Sequence, residues 1–126
     1  MSHDVVADGL NVIKNAKMAG KETVIINRIS NLLIEILKIM KQRGAIKKYK
    51  IDSKKRLVEI SIDNLTECKA IKPRLKVNKR DIEKYRRRYL PSKNIGTIIV
   101  STNKGLMTHI EAQEEQIGGC LIAYFY

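Results

Sequence analysis

Apolar residues recur at helical spacing in two early stretches of the chain. Val6, Leu10 and Ile13 share one face of a segment from Asp4 to Lys17, and Asp8, Asn11 and Asn15 fall elsewhere. Asp4 is suited to cap this helix, its acids lie toward the positive end of the helix dipole, and Gly20 ends it. Gly9, inside the segment, costs about 1 kcal/mol against alanine, so this helix needs tertiary support. Leu33, Ile34, Leu37 and Met40 form the stripe of a second helix, opened by Ser30, running through Arg43 and closed by Gly44.

Alternation and β-rich runs predict the strands. Glu22 to Asn27 carries Thr-Val-Ile-Ile and reads as a short strand. Ile46 to Asp52 and Arg56 to Asp63 suit two antiparallel strands with one wet face, joined by Ser53-Lys54-Lys55. Polar Asn64 to Lys69 reads as a loop holding a boundary, which divides the chain into domains 1–66 and 67–126. Beyond it, Ala70 to Val77 predicts a strand with Pro73 at an edge or bulge. Asn78 is placed to cap a short helix, Arg80 to Arg88, and Leu90 to Asn94 reads as a loop. Gly96 to Ser101 predicts a buried strand. Thr108 and Glu111 have capping-box spacing for a helix from Ile110 to Gln116, which Gly118-Gly119 ends. Cys120 to Tyr126 is too apolar for a free tail and reads as a final strand. The fold class is α+β in two small domains, an N-terminal α-β-α-β-β unit and a C-terminal β-rich unit with short helices.

Charge changes this picture more than composition does. The 126 residues are 44% apolar, enough to bury a core, and the single Phe, five Tyr and absent Trp leave core volume to Ile, Leu and Val. The net charge is +12, which favours a polyanionic partner. The charge is clustered: nine bases and one acid run from Lys38 to Arg56, and eleven bases and two acids from Lys69 to Lys93. Asn94 to Tyr126 holds one base and three acids, so one side is more neutral. Cys68 and Cys120 lack metal-site spacing and read as two free thiols; no metal or cofactor is expected. No signal-peptide pattern and no membrane-length apolar run is present, so a cytoplasmic protein with no membrane partner is expected.

The block Ser101-Thr102-Asn103-Lys104-Gly105 follows a strand-like run and reads as a polar turn leading to the capped helix. Short hydroxyl and amide side chains approach a polar surface with little entropy loss, and Gly105 permits close backbone approach or positive φ. Apart from His109 it offers nothing for acid–base chemistry. Small donors on a basic protein suit recognition of nucleic-acid shape; the same hydroxyls can equally bond their own backbone.

Longer motifs carry a family resemblance. Ser101-Thr102-x-x-Gly105-Leu106-Met107-Thr108-His109-x-Glu111-Ala112 and Gly118-Gly119-x-Leu121 to Tyr126 resemble the end of small-subunit ribosomal protein eight. Ala70 to Arg74 and Arg88 to Ser92 resemble its archaeal and eukaryotic branch. Asp4-x-x-Ala7-Asp8-x-Leu10-Asn11, Ile13 to Ala16, Gly20-Lys21 and Ser30 to Gly44 also match, so nearly the whole chain is covered in constant order. Asn103 stands where the family often has Ser or Thr, Val5 where Pro is common, and Gly9 where an apolar residue is common. The resemblance implies two domains, no enzymatic activity and no cofactor. It further implies a structural constituent of the ribosome, binding the central domain of small-subunit ribosomal RNA as a primary assembly protein beside neighbouring small-subunit proteins.

On that footing the candidate RNA contacts divide by role. Ser101, Thr102, Asn103, Lys104 and Gly105 would recognise a distorted helix. Lys72, Arg74, Lys76, Arg86, Arg87 and Arg88 would neutralise phosphates, which makes affinity salt-dependent. The polar face of the first helix, Asp4, Asp8, Asn11, Lys14 and Asn15, would lie against a second RNA helix by analogy with the family. Arg28, Ser30 and Asn31 would meet phosphate at the second helix's N-terminus, with capping by Ser30 as the competing role. Tyr85 and Tyr89 suit packing better than base stacking. Nothing orients His109 and Cys120 as base and nucleophile, so no catalytic residue is assigned. A ribosome-free regulator that binds a messenger RNA is the alternative function. A DNA-compacting role, with DNA as partner, is disfavoured by the hydroxyl-rich turn.

Overall fold

The computed structural model describes residues 4–126, which form two compact units divided between Lys69 and Ala70. The first contains α1 (Val5–Met18), β1 (Thr23–Ile26), α2 (Asn31–Gln42), β2 (Ile46–Asp52) and β3 (Leu57–Ile62). Its three strands form an antiparallel sheet ordered β1-β3-β2. α1 packs along β1, α2 along β2, and the helices touch each other. α1 buries its predicted stripe, Val6, Leu10 and Ile13. α2 buries Leu33, Leu37 and Met40 of its predicted stripe and Ile36 besides, while Ile34 is only half-buried. These side chains face inward with Val58 and Ile60 of β3.

Both helix starts follow their caps. The Asp4 carboxylate accepts from the Val6 and Ala7 amides at 3.0 and 3.1 Å, and the Ser30 hydroxyl accepts from Leu33 at 3.2 Å. The helices end before Gly20 and Gly44, whose φ values of 78° and 84° a side chain would resist. Gly9 has its own reason. A Cβ there would stand 3.1 and 3.2 Å from the Leu33 methyls, so the missing side chain lets the two helices approach. The tertiary support that this glycine demands is therefore the contact that it permits.

The second unit contains α3 (Ile82–Tyr89), β5 (Thr97–Thr102), β6 (Gly105–Thr108), α4 (His109–Glu115) and β7 (Gly119–Phe125), and most of β4 (Cys68–Val77). The sheet order is β4-β7-β5-β6, which puts Pro73 on an edge strand, where a missing amide donor is tolerated. Ile71, Val77, Ile82, Leu90, Ile98, Val100, Met107, Ala112 and Leu121 form its core.

Three local expectations are corrected. β4 starts at Cys68, inside the stretch read as loop. Cys68 is buried and its thiol donates to the Leu10 carbonyl at 3.2 Å, so packing ordered a segment whose polarity suggested none. Asn78 does not cap a helix: α3 starts at Ile82 behind Asp81, with no side-chain cap. The Asn78 carbonyl instead accepts from the Asp81 amide in a turn. The segment after Ser101 is not a strand-to-helix turn but a hairpin, with Thr102 paired to Gly105 and β6 returning along β5. The capping box itself is present, with Thr108 and Glu111 bonded reciprocally at 3.2 Å.

Gly9→Val should lower unfolding stability by about 1–3 kcal/mol, because the added methyls overpack the α1–α2 contact. Urea denaturation checks this; an unchanged midpoint would mean that the helices have room to part.

Candidate nucleic-acid interface

The hairpin between β5 and β6 is closed by its own side chains. Gly105 takes a φ of 109°, which neither Asn103 nor Lys104 needs to adopt. The Thr102 hydroxyl donates to the Gly105 carbonyl at 2.9 Å and accepts from the Lys104 amide at 3.1 Å. Thr102 is thus engaged in the turn, the role its hydroxyl could have played in place of a ligand contact. The Lys104 ammonium reaches Glu115 at 3.3 Å. Ser101 and Asn103 make no side-chain hydrogen bond among the described residues, and Asn103 is exposed.

Beside this hairpin lies an open cleft of about 800 Å³. Ser101, Thr102 and Asn103 form one wall, Lys76 to Arg80 another, and Ile117 to Cys120 the floor. Its shape depends on two glycines. A Cβ on Gly118 would collide with the Val77 carbonyl and stand 3.1 Å from the Asn78 Cα. A Cβ on Gly119 would collide with the Ser101 carbonyl and stand 3.0 Å from a Val100 methyl. The doublet read as a helix breaker is therefore also a close-packing element that brings the β4–α3 connection and the hairpin together.

Sequence reasoning missed Asn78, Lys79 and Arg80 as members of this site. The signal was their place in the basic run after β4, but only the fold puts that run opposite Ser101. Lys76, Lys79 and Arg80 are exposed and have no ion-pair partner among the described residues. Three cations and unengaged Ser101, Asn103 and Asn78 side chains give the cleft an anion-attracting wall facing donors and acceptors.

The other predicted residues fall outside the cleft. Lys72 and Arg74 are exposed on β4, and Arg87 and Arg88 on α3. Arg86 is different: it is buried, and its guanidinium donates to the Glu83 carboxylate from Nε at 2.9 Å and from Nη2 at 2.7 Å. Both donors converge on one carboxylate oxygen, Oε1, in a charge-assisted structural pair, so Arg86 is withdrawn as a phosphate ligand. In the first unit Asp4 is spent on its cap, Lys14 pairs with Glu67 at 2.9 Å, and Arg28 with Asp8 at 3.5 Å. Asn11, Asn15 and Asn31 remain exposed, and Ser30 holds α2. Asp8 and Arg28 sit at a small groove of about 200 Å³ between α1 and β1.

Among the described residues nothing resembles a catalytic centre. His109 is buried and its Nδ1 accepts from the Ile98 amide at 3.1 Å, which makes it a core histidine. Cys120 pairs with Ser101, three residues further along β5, or about 10 Å away. Cys120 is partly exposed in the cleft. The Cys68 thiol is pushed up to about 12, chiefly by burial and secondarily by Glu67, and is inert. No cluster of potential metal ligands occurs among the described residues, and none of their helices is long and apolar enough to cross a membrane.

Fold and cleft together define a basic α+β protein of two compact units, with cations along one wall of a cleft in the second. Comparison with known proteins agrees. The profile of the family described as Ribosomal protein S8 matches residues 4–126. Proteins named small ribosomal subunit protein uS8 align over the full length of this chain and of their own. The one from Picrophilus torridus is 45% identical, that from Nanoarchaeum equitans 43%, and that from Archaeoglobus fulgidus 38%. The chain belongs to the ribosomal protein S8 family, whose members are structural ribosomal proteins and not enzymes.

The Arg86 pair also predicts a pH dependence. Arg86 holds the Glu83 carboxyl below its ordinary value near 4.5, mainly through the hydrogen bonds and with help from Gln113. A depressed carboxyl stabilises the fold above its unfolded-state value, and that contribution is lost as pH falls through the folded one. Glu83→Gln should therefore be less stable than the parent at pH 7, and the gap should close on acidification well below pH 4.5. Urea melts at several pH values check it; a gap of constant size would contradict the pair's role.

Proposed function

We propose that this chain is a structural constituent of the small ribosomal subunit that binds the central domain of its RNA and helps that domain assemble. The cleft of the second unit carries this reading. It sets unengaged Ser101, Asn103 and Asn78 against unpaired Lys76, Lys79 and Arg80, in a chain whose relatives are small-subunit proteins.

The chemistry divides between two walls. Lys76, Lys79 and Arg80 neutralise phosphates and release counterions, which raises affinity for any RNA and ties it to salt. Ser101 and Asn103 lie at the mouth of a rigid hairpin, so their polar atoms are held in place before the ligand arrives. An A-form helix shows 2′-hydroxyls in a shallow groove, and a bulge adds base edges. Short donors and acceptors on a fixed turn read such a surface. Thr102 and Gly105 shape the turn and do not need to touch RNA. Arg74, Asn11, Asn15 and Asn31 are exposed and would add further backbone contacts; Lys72 and Lys104 are exposed too. In the assembled particle the protein would sit in the cytoplasm beside neighbouring small-subunit proteins.

Ser101→Ala and Asn103→Ala should each weaken binding to a central-domain RNA fragment by about 1 kcal/mol, and leave an unrelated hairpin of equal length unaffected. Lys79→Gln and Arg80→Gln should weaken both RNAs and lower the salt slope by about one each. Filter binding across a salt series reads both effects. Equal losses for the two RNAs in the Ser101 and Asn103 variants would defeat the assignment.

A further inference from the structure

At the opposite end of β7 from the cleft stands a row of four tyrosines. Tyr85 and Tyr89 come from α3, one turn apart, Tyr124 from β7, and Tyr126 from just beyond it. Ring centroids are 6.5 Å apart for Tyr85–Tyr89, 5.2 Å for Tyr89–Tyr124 and 6.3 Å for Tyr124–Tyr126, with planes within 29° of parallel. A bulge makes the row possible. Ile99 faces Ala123 but Val100 faces Leu121, so Ile122 is passed over. The slip brings Tyr124 and Tyr126 into the apolar cluster that holds Leu121 and Ile82.

Packing explains the ring bodies but not the choice of tyrosine. The rings are half-buried, and the hydroxyls of Tyr85, Tyr89 and Tyr126 make no hydrogen bond among the described residues. Cations border the row. The Lys84 ammonium lies 5.8 Å from the Tyr85 centroid and the Arg88 guanidinium 5.8 Å from that of Tyr89. The Arg87 side chain is 74% exposed. The one acid of α3, Glu83, is held by Arg86 at 2.7 Å and lies 3.8 Å from the Arg87 Nε, so it offsets one of the four cations of the helix. The surface therefore combines aromatic rings, the unbonded hydroxyls of Tyr85, Tyr89 and Tyr126, and an excess of positive over negative charge.

We propose that this face is a second ribonucleotide-binding surface, distinct from the cleft, that takes an unpaired single-stranded segment. Bases stack against the exposed parts of the tyrosine rings, and the phosphates lie along Lys84, Arg87 and Arg88. Stacking on aromatics beside basic side chains is how single strands are held without sequence preference, and arginine on a ring face adds to it. The excess of cations favours a polyanion over a protein partner, whose interface would need acids of its own. The two sites lie at the ends marked by the Thr97–Phe125 and Ser101–Cys120 pairs, about 13 Å apart along β5. A structured RNA can thus present a folded feature to the cleft and a loose strand to the tyrosines.

The chain has no Trp and five Tyr, four of them in this row, so intrinsic emission reports on the site directly. Titration of the full chain with hexa-adenylate should quench that emission saturably. Tyr85→Leu, which keeps apolar bulk, and Arg88→Gln should each weaken the hexanucleotide roughly fivefold or more. Ser101→Ala should leave it unchanged, which separates this site from the cleft. If Tyr85→Leu loses its cooperative melt, the Arg87→Gln, Arg88→Gln double variant, altered only at exposed positions, carries the test alone. Absence of quenching would overturn the proposal. So would unchanged affinity in the arginine variants, or equal quenching by a poly-glutamate of matching charge.

Discussion

Two backbone approaches that only glycine allows organise the second unit. Gly118 lies against the Val77 carbonyl and Gly119 against the Ser101 carbonyl. Between them they draw the basic β4–α3 connection and the β5–β6 hairpin to opposite walls of one cleft. Any side chain at either position would push a wall outward and separate the cations of one wall from the hairpin side chains of the other. The distance between those walls is thus set by backbone approach and not by any single side-chain hydrogen bond.

The rest of the unit secures the same arrangement. Thr102 spends its hydroxyl on its own turn, which removes freedom from the hairpin that carries Ser101 and Asn103. The Thr108–Glu111 capping box fixes the far end of β6, and buried His109 ties that end to β5 through the Ile98 amide. Arg86, clamped on Glu83, braces the start of α3 just after the basic connection. Residues with chemical potential elsewhere are used here as struts. This agrees with a family whose members are structural proteins, since rigid presentation lowers the entropy lost on binding.

Much of the fold was legible in the sequence because periodicity and caps agreed. The α1 and α2 stripes, Asp4, Ser30 and the closing glycines all pointed one way, and the structure follows them. The hairpin was not legible, because Asn103-Lys104 lacks the usual two-residue turn chemistry and β6 is four residues long before Thr108 starts a helix. β4 was read short because burial of Cys68, not local propensity, orders its first residues. Of the candidate site, the hydroxyl-bearing half was visible in its own residues. The cationic half, Lys79 and Arg80, was not, since its membership comes from a tertiary contact made by glycines. Arg86 misled for the opposite reason: three consecutive arginines look alike in a sequence, and only burial singles out the one that is paired.

The central claim is that the cleft between these walls is where RNA is read. Backbone amide shifts of the labelled protein, followed while a central-domain RNA fragment is added, test it most directly. The account predicts that the largest changes fall on Lys76 to Arg80, Ser101 to Asn103 and Gly118 to Cys120. Saturating RNA that left those amides unmoved while shifting residues of the first unit alone would contradict it.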